Sequence, residues 1–254
     1  MHVMMLGDVI GRPGRRAVHE LLPGLRQYYE VDLVIANAEN AAEGLGLTPS
    51  TADELFQSGV DVLTSGNHIW DKREIIPYLD SDLPILRPLN YPPGVPGRGY
   101  LIKKGVLVVN LIGRTFIGNF DCPFRGMDRL LSELKERPPV IVADFHAEAT
   151  SEKVALGRYL DGRVSAVVGT HTHVGTIDAR VLPGGTAVIT DVGMVGPRDS
   201  VIGDDVEAVL QRFLTLMHHR LSVGRGEVEL NGVLMDIGED GRANSIIRID
   251  RRTK

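Results

Sequence analysis

Short apolar runs alternate along the chain with longer amphipathic ones, the rhythm of buried parallel strands with helices laid against them. Val3 to Leu6 predicts a strand, and Arg15 to Tyr29 a helix with Ala17, Val18, Leu21, Leu22 and Leu25 at helical spacing. Leu33 to Ala36 and Val60 to Leu63 are the next two strands, separated by a helix that Thr48 caps and Pro49 opens. Asp71-Lys72-Arg73-Glu74 has the capping-box pattern and predicts another helix start. From Leu83 to Gly105, prolines and glycines mark irregular loops. Val106 to Ile112, Val140 to Ala143 and Val164 to Val168 read as strands. Helices lie between them, from about 127 to 135 and from Thr150 or Ser151 onward. Residues 177–190 predict a hairpin turning at Pro183-Gly184-Gly185, and Asp205 to His219 a helix. The tail, Glu227 to Asp236 and Ala243 to Ile249, predicts a second hairpin. Alternation first and hairpins last imply an α/β fold of two mixed sheets packed face to face, with helices outside. No repeat, low-complexity tract or linker divides residues 1–254, so one domain is expected.

At 254 residues the chain can bury a sizeable core. Its net charge of −5 advertises no basic face for duplex nucleic acid. A small nucleotide or phosphoester stays open as a partner, because a metal can supply the positive charge. The single cysteine, Cys122, has no adjacent base and reads as a packed small hydrophobe. The apolar run from Val3 meets Asp8 too soon for a signal peptide. Nothing approaches the roughly 20 apolar residues of a membrane span. A soluble, cytoplasmic protein without membrane partners is expected, and a symmetric homo-oligomer is compatible with the chain.

The chemistry gathers where the strands stop. Gly7-Asp8 follows the first, Glu39-Asn40 the second and Gly66-Asn67-His68 the third. His146 closes Asp144-Phe145-His146, and Gly169-Thr170-His171-Thr172-His173 follows the fifth. Ligands of open α/β sheets bind beyond such carboxyl ends. In extended chain His171 and His173 would face one side, with Cα atoms roughly 6.5 Å apart, so each could serve one of two ions about 3.5–4 Å apart. Carboxylate, amide oxygen and imidazole without thiolate suit iron, manganese or zinc in a catalytic site. Glu39 is the candidate bridging carboxylate. Two adjacent cations lower the pKa of a shared water toward neutrality.

Taken together, Asp8, Glu39-Asn40, Gly66-Asn67-His68, His146 and Gly169-Thr170-His171-Thr172-His173 resemble the successive motifs of calcineurin-like binuclear metallophosphoesterases. Gly7-Asp8-Val9-Ile10-Gly11, Asn37-Ala38-Glu39-Asn40, Gly66 to Asp71, Asp144 to Thr150 and Thr190 to Met194 are similar to the YmdB-like branch, described as cyclic-nucleotide phosphodiesterases. The resemblance implies one transition-metal ion on Asp8, Glu39, Asn40 and His173, and another on Glu39, Asn67, His146 and His171. It implies a phosphodiesterase acting on small phosphoesters such as 2′,3′-cyclic nucleotides, with His68 as the acid that protonates the leaving oxygen. The alternative for His68 is a hydrogen-bond donor beside the site, and for Asn40 an orienter of phosphate. Alternatives for the whole are a phosphomonoesterase, or a metal-binding regulatory protein with little turnover. The chain departs from the wider superfamily at Ile10, where a histidine is usual, and at Glu39, where an aspartate is usual.

Gly7 to Gly14 lacks the spacing of a phosphate loop and reads as a tight strand-to-helix turn. Arg12 could still meet phosphate. Arg15-Arg16, Arg251-Arg252, His19 and His218-His219 read as solvated surface. The loops 87–92 and 191–203 could shape a substrate pocket or serve only as turns.

Overall fold

The structure, a computed structural model, describes residues 1–253. One mixed sheet contains β1 (His2–Leu6), β2 (Asp8–Val9), β3 (Leu33–Asn37), β4 (Val62–Thr64), β11 (Met194–Pro197), β12 (Val228–Ile237) and β13 (Ala243–Arg252). Its order is β2-β11-β12-β1-β3-β4, with β13 on the other edge of β12. The second sheet runs β5 (Tyr100–Lys103), β6 (Val106–Ile112), β7 (Val140–His146), β8 (Ala166–Thr170), β10 (Ala187–Ile189) and β9 (Arg180–Val181). Strands β6, β7, β8 and β10 are parallel, and β5 and β9 flank them antiparallel.

Period-two alternation sorts these strands into three apolar layers. Val3, Met5, Leu33, Ile35, Val106, Val142 and Val168 fill the space between the sheets. Met4, Leu6, Val34 and Ala36 face the other way, onto α1 (Gly11–Tyr28) and α2 (Pro49–Gln57). Leu107, Val109, Ile141 and Phe145 face α4 (Pro123–Glu133) and α5 (Thr150–Tyr159). The result is the expected helix–sheet–sheet–helix arrangement. No helix of the described residues is long and apolar enough to cross a membrane.

Several boundaries differ from the sequence reading, each for a physical reason. α1 starts at Gly11, a turn before Arg15, because Pro13 near a helix start gives up only an amide that has no partner there anyway. α4 begins at Pro123 rather than near 127 for the same reason. Thr48 caps α2 as expected, exchanging bonds with Thr51. Asp71 does not cap a helix: its carboxylate accepts from His68 Nδ1 at 2.8 Å. Only a 3-10 turn over Arg73–Ile75 and the short α3 (Ile76–Leu79) follow, with Lys72 making no capping bond. Residues 191–203 hold β11, which wedges between β2 and β12 where the chain steps aside at Gly7. A side chain at Gly7 would meet the Gly193 carbonyl at 2.0 Å. α6 (Val206–Thr215), capped by Asp205, ends one turn before His219, with Leu216 in the left-handed region at φ 57°.

Candidate metal centre

The inter-sheet layer changes character at one end. Following the inward-facing positions along each strand, the apolar series runs into Asn37 on β3, Thr64 on β4, Asp144 and His146 on β7, and Thr170 on β8, all buried. A buried polar group is tolerated only when hydrogen-bonded, and these satisfy one another. Asp144 accepts from Thr64 Oγ1 at 2.5 Å, Thr170 Oγ1 at 2.8 Å and Asn37 Nδ2 at 3.2 Å. Thr170, having given its proton to Asp144, accepts from His146 Nδ1 at 3.0 Å. That chain fixes the His146 tautomer and leaves Nε2 aimed at Glu39 Oε1, 3.0 Å away, and at His171 Nδ1, also 3.0 Å away.

Each remaining ring nitrogen is set by the same logic. His173 Nδ1 donates to the Ile202 carbonyl at 2.6 Å, so Nε2 presents a lone pair, 3.1 Å from Asn40 Nδ2 and 3.7 Å from Asp8 Oδ1. His171 Nε2 lies 3.2 Å from Glu148, which leaves its Nδ1 lone pair facing His146. The extended geometry expected for these two histidines is wrong. β8 stops at Thr170, and His171 and His173 have φ of 103° and 64°. Such left-handed residues cost about 1–3 kcal/mol each. The turn is held by Thr172 N donating to Asp191, and Asp191 is in turn pinned by the buried Lys153 ammonium at 2.6 Å. Here two opposed rings come from a kink, with His171 turned to Glu39 and His146 and His173 to Asp8 and Asn40.

The oxygen-bearing residues close the cluster. Asp8 Oδ2 accepts from His171 N at 3.1 Å. Glu39 Oε2 accepts from His68 N at 3.1 Å. Gly66 leaves the room they need, since a Cβ there would lie 2.2 Å from the His146 ring and 2.4 Å from Glu39 Oε2. Asn67 sits between Gly66 and His68. Among the described residues the His68 ring, one-third exposed, is anchored by Asp71.

Electrostatics follow from burying two carboxylates with one imidazole. Burial raises the Asp8 carboxyl above its ordinary range, more than neighbouring His173 and His146 lower it. Burial also pushes Glu39 up, but the His146 charge and hydrogen bond, helped by His68, overcome it and hold it at about 2. His146 is disfavoured as a cation by burial, yet Glu39 first, then Asp8 and Asp144, raise it to about 9. Burial and the charge on His146 drive His171 down to about 3.

Glu39, His146 and His171 each offer a ligand atom within 4.8 Å of the others, a geometry that fits a metal ion. Two further observations agree. Asp8 Oδ1 and Asn67 Oδ1 are buried and have no hydrogen-bond partner, the state of an oxygen shaped to bind a cation. The donor set is hard oxygen plus borderline imidazole, the mixture that suits catalytic transition metals. Sequence reasoning missed Asn37, Thr64, Thr170 and the Lys153–Asp191 pair as supporting residues. For Asn37, Thr64 and Thr170 the available signal was parity: each falls on the inward face of an apolar series.

Residues 4–249 match the model of the YmdB-like protein family. The chain is 49% identical over 255 residues to the 2′,3′-cyclic-nucleotide 2′-phosphodiesterase of Bacillus subtilis (strain 168), covering 99% of this chain and 96% of that one. Among solved structures, a hypothetical protein from Thermus thermophilus superposes with a TM-score of 0.94 at 46% identity over all of both chains. A novel phosphatase from Mycoplasma pneumoniae superposes at 0.92 with 32% identity, covering 99% of this chain and 93% of that one.

Proposed function

The chain belongs to the YmdB-like protein family, and on that premise we propose that residues 1–254 form one metallophosphoesterase domain that hydrolyses 2′,3′-cyclic nucleotides or related small phosphodiesters with two transition-metal ions. The observation that carries this reading is the pair of buried oxygens, Asp8 Oδ1 and Asn67 Oδ1, that have no hydrogen-bond partner among the described residues, together with the Glu39, His146 and His171 cluster. Asp8, Glu39, Asn40 and His173 would hold one ion, and Glu39, Asn67, His146 and His171 the other, with iron, manganese or zinc as the candidates. Asn40 presents its amide nitrogen to His173 at 3.1 Å, and rotating the amide by half a turn would present its oxygen instead. When bound, such ions supply Lewis acidity to the phosphate oxygens and acidify a water.

The chain's own contribution is orientation and proton delivery. As the imidazolium, His68 donates from Nδ1 to Asp71, which sets the ring, and gives its Nε2 proton to the leaving 2′ oxygen as the bond of that oxygen to phosphorus breaks, ending as the neutral imidazole. The 3′ oxygen keeps the phosphate, now carrying the oxygen of the attacking water. The His68 amide meanwhile holds Glu39, so acid and carboxylate are positioned by one residue.

Assaying a 2′,3′-cyclic nucleotide beside p-nitrophenyl phosphate and a nucleoside monophosphate tests the reading. Turnover of the cyclic diester, lost in Glu39→Gln with the fold intact, is expected. Preference for the monoesters would replace it with a phosphomonoesterase, and no turnover of any of them would favour a regulatory metal-binding protein.

A further inference from the structure

A cleft of about 910 Å³ lies between the start of α1 and the segment 218–225 after α6, near the upper end of the roughly 300–1,000 Å³ usual for small-molecule sites. Six of its fifteen lining residues are arginine or lysine, against 28 of 254 in a chain of net charge −5. Two of the six are engaged: Arg15 with Glu54 at 2.6 Å, and Lys72 with Glu43 at 3.3 Å. Among the described residues no carboxylate lies within 4.0 Å of Arg12, Arg212, Arg220 or Arg225, all of them exposed. A second recess, about 530 Å³, shares Arg12 and Arg225 and continues to the unpaired Arg16. Arg12, Arg16, Arg212, Arg220 and Arg225 therefore form one cationic track.

Both walls of the track are tied to the centre by hydrogen bonds. Gly11 N donates to the Asn40 carbonyl at 2.8 Å, so the backbone that carries Arg12 is bonded to the backbone of Asn40. On the other wall, His173 bonds the Ile202 carbonyl, and Gly224 N donates to the Gly203 carbonyl at 2.8 Å. Two hydrogen bonds thus join His173 to the loop carrying Arg220 and Arg225.

A mononucleotide carries one phosphate, which the centre would absorb, and leaves these arginines nothing to bind. The chemistry that makes a 2′,3′-cyclic phosphate supplies a longer ligand. When a ribose 2′ oxygen attacks the adjacent 3′,5′-diester, a P–O2′ bond forms, the P–O5′ bond breaks, and the proton of the 2′ hydroxyl goes by way of a base to the departing 5′ oxygen. The cyclic phosphate is thereby left at the 3′ end of an RNA fragment. We propose that the track holds the preceding phosphates of a single-stranded RNA whose cyclic 3′ end lies in the centre, so that an oligoribonucleotide terminus is a substrate in its own right. The proposal rests on the cyclic-phosphodiesterase reading above. An exposed cationic groove tracking a single strand binds by counterion release, without needing a duplex-sized basic face.

The test is fluorescence anisotropy of a 5′-labelled hexaribonucleotide ending in a 3′-phosphate, titrated with the metal-loaded protein between 50 and 300 mM salt. Three to four phosphate contacts give a slope of log affinity against log salt of about −2 to −3. Binding should be at least about tenfold tighter than that of a nucleoside 3′-monophosphate used as competitor, each unscreened contact adding to the affinity. The double substitution Arg220→Ala with Arg225→Ala should weaken it and shorten the slope by about 1.4. The same variant should lose more kcat/KM on a hexamer with a cyclic end than on the cyclic mononucleotide. Equal affinity for hexamer and monomer, or an unchanged slope in the variant, would overturn the proposal. Should the cyclic mononucleotide resist hydrolysis while hexamer affinity and slope hold, the reaction assignment fails and the RNA track stands. Hydrolysis without hexamer affinity leaves the reaction standing and removes the track.

Discussion

The two sheets contribute different chemistry to the same place. The first brings the oxygen-bearing candidates, Asp8, Glu39, Asn40 and Asn67, from β2 and the turns after β3 and β4. The second brings the nitrogen donors, His146, His171 and His173, from β7 and the turn after β8. Neither sheet carries the whole of the proposed ligand set, so the candidate centre is a property of their packing. The two halves are also held differently. The imidazoles are locked by a buried relay through Asp144 and by the Lys153–Asp191 pair. On the oxygen side, Asp8 and Asn67 each keep an unpaired oxygen of the kind a cation satisfies. Rigid nitrogens and unpaired oxygens together make a site that is shaped before a cation arrives.

The largest break in this comparison should come from His68, the proposed proton donor on the oxygen-bearing side. His68→Ala is expected to lower kcat by about 10²–10⁴-fold while leaving metal content near wild type, read by steady-state kinetics and elemental analysis of one preparation. A matching loss of metal would make it a structural residue of the centre instead.

Next comes the relay that bridges the sheets. Asp144 accepts three donors, two of them from the first sheet, so Asp144→Asn must set an amide N–H against at least one of them. Metal affinity should fall about 10–100-fold through misaimed His146, measured by competition with a fluorescent chelator. An unchanged affinity would show that the relay only fills space.

These supporting residues also mark the limit of what the sequence discloses. The alternating runs foretell both sheets and the three layers, because burial on one or both faces writes itself into period and length. Strand ends foretell where Asp8, Glu39, Asn67, His146, His171 and His173 gather, since short polar stretches after apolar runs are visible. The Asp144 relay is not visible in that way, because its partners are distant in sequence and meet only through strand register. Asp71 misled for a related reason: its spacing matches a cap, but a histidine three residues earlier competes for the carboxylate. β11 is short, and its place between β2 and β12 depends on the close approach of Gly7 and Gly193.

A smaller effect separates the halves by pH. Without metal, His146 carries a proton up to about pH 9, and a cation must displace it. Affinity should therefore climb with pH by up to about tenfold per unit until that pKa is passed, and metal should leave faster into chelator on the acid side. A pH-independent affinity between 6 and 8 would contradict the protonated His146–Glu39 pair.

The smallest effect belongs outside the centre. Arg15 and Glu54 are bonded at 2.6 Å with Glu54 more than half exposed, and screened pairs of this kind contribute less than about 1 kcal/mol. Glu54→Gln should leave metal content and turnover intact and shift thermal unfolding only slightly. A large shift in metal content would mean that the cationic cleft and the centre are coupled.

If oxygen donors of one sheet and nitrogen donors of the other grip a pair of cations, the cations should accompany the protein. Elemental analysis of protein purified without chelator tests this most directly. About two transition-metal ions per chain are predicted, as for two-metal phosphoesterase chemistry, whereas protein that carries none and takes up none on reconstitution would contradict it.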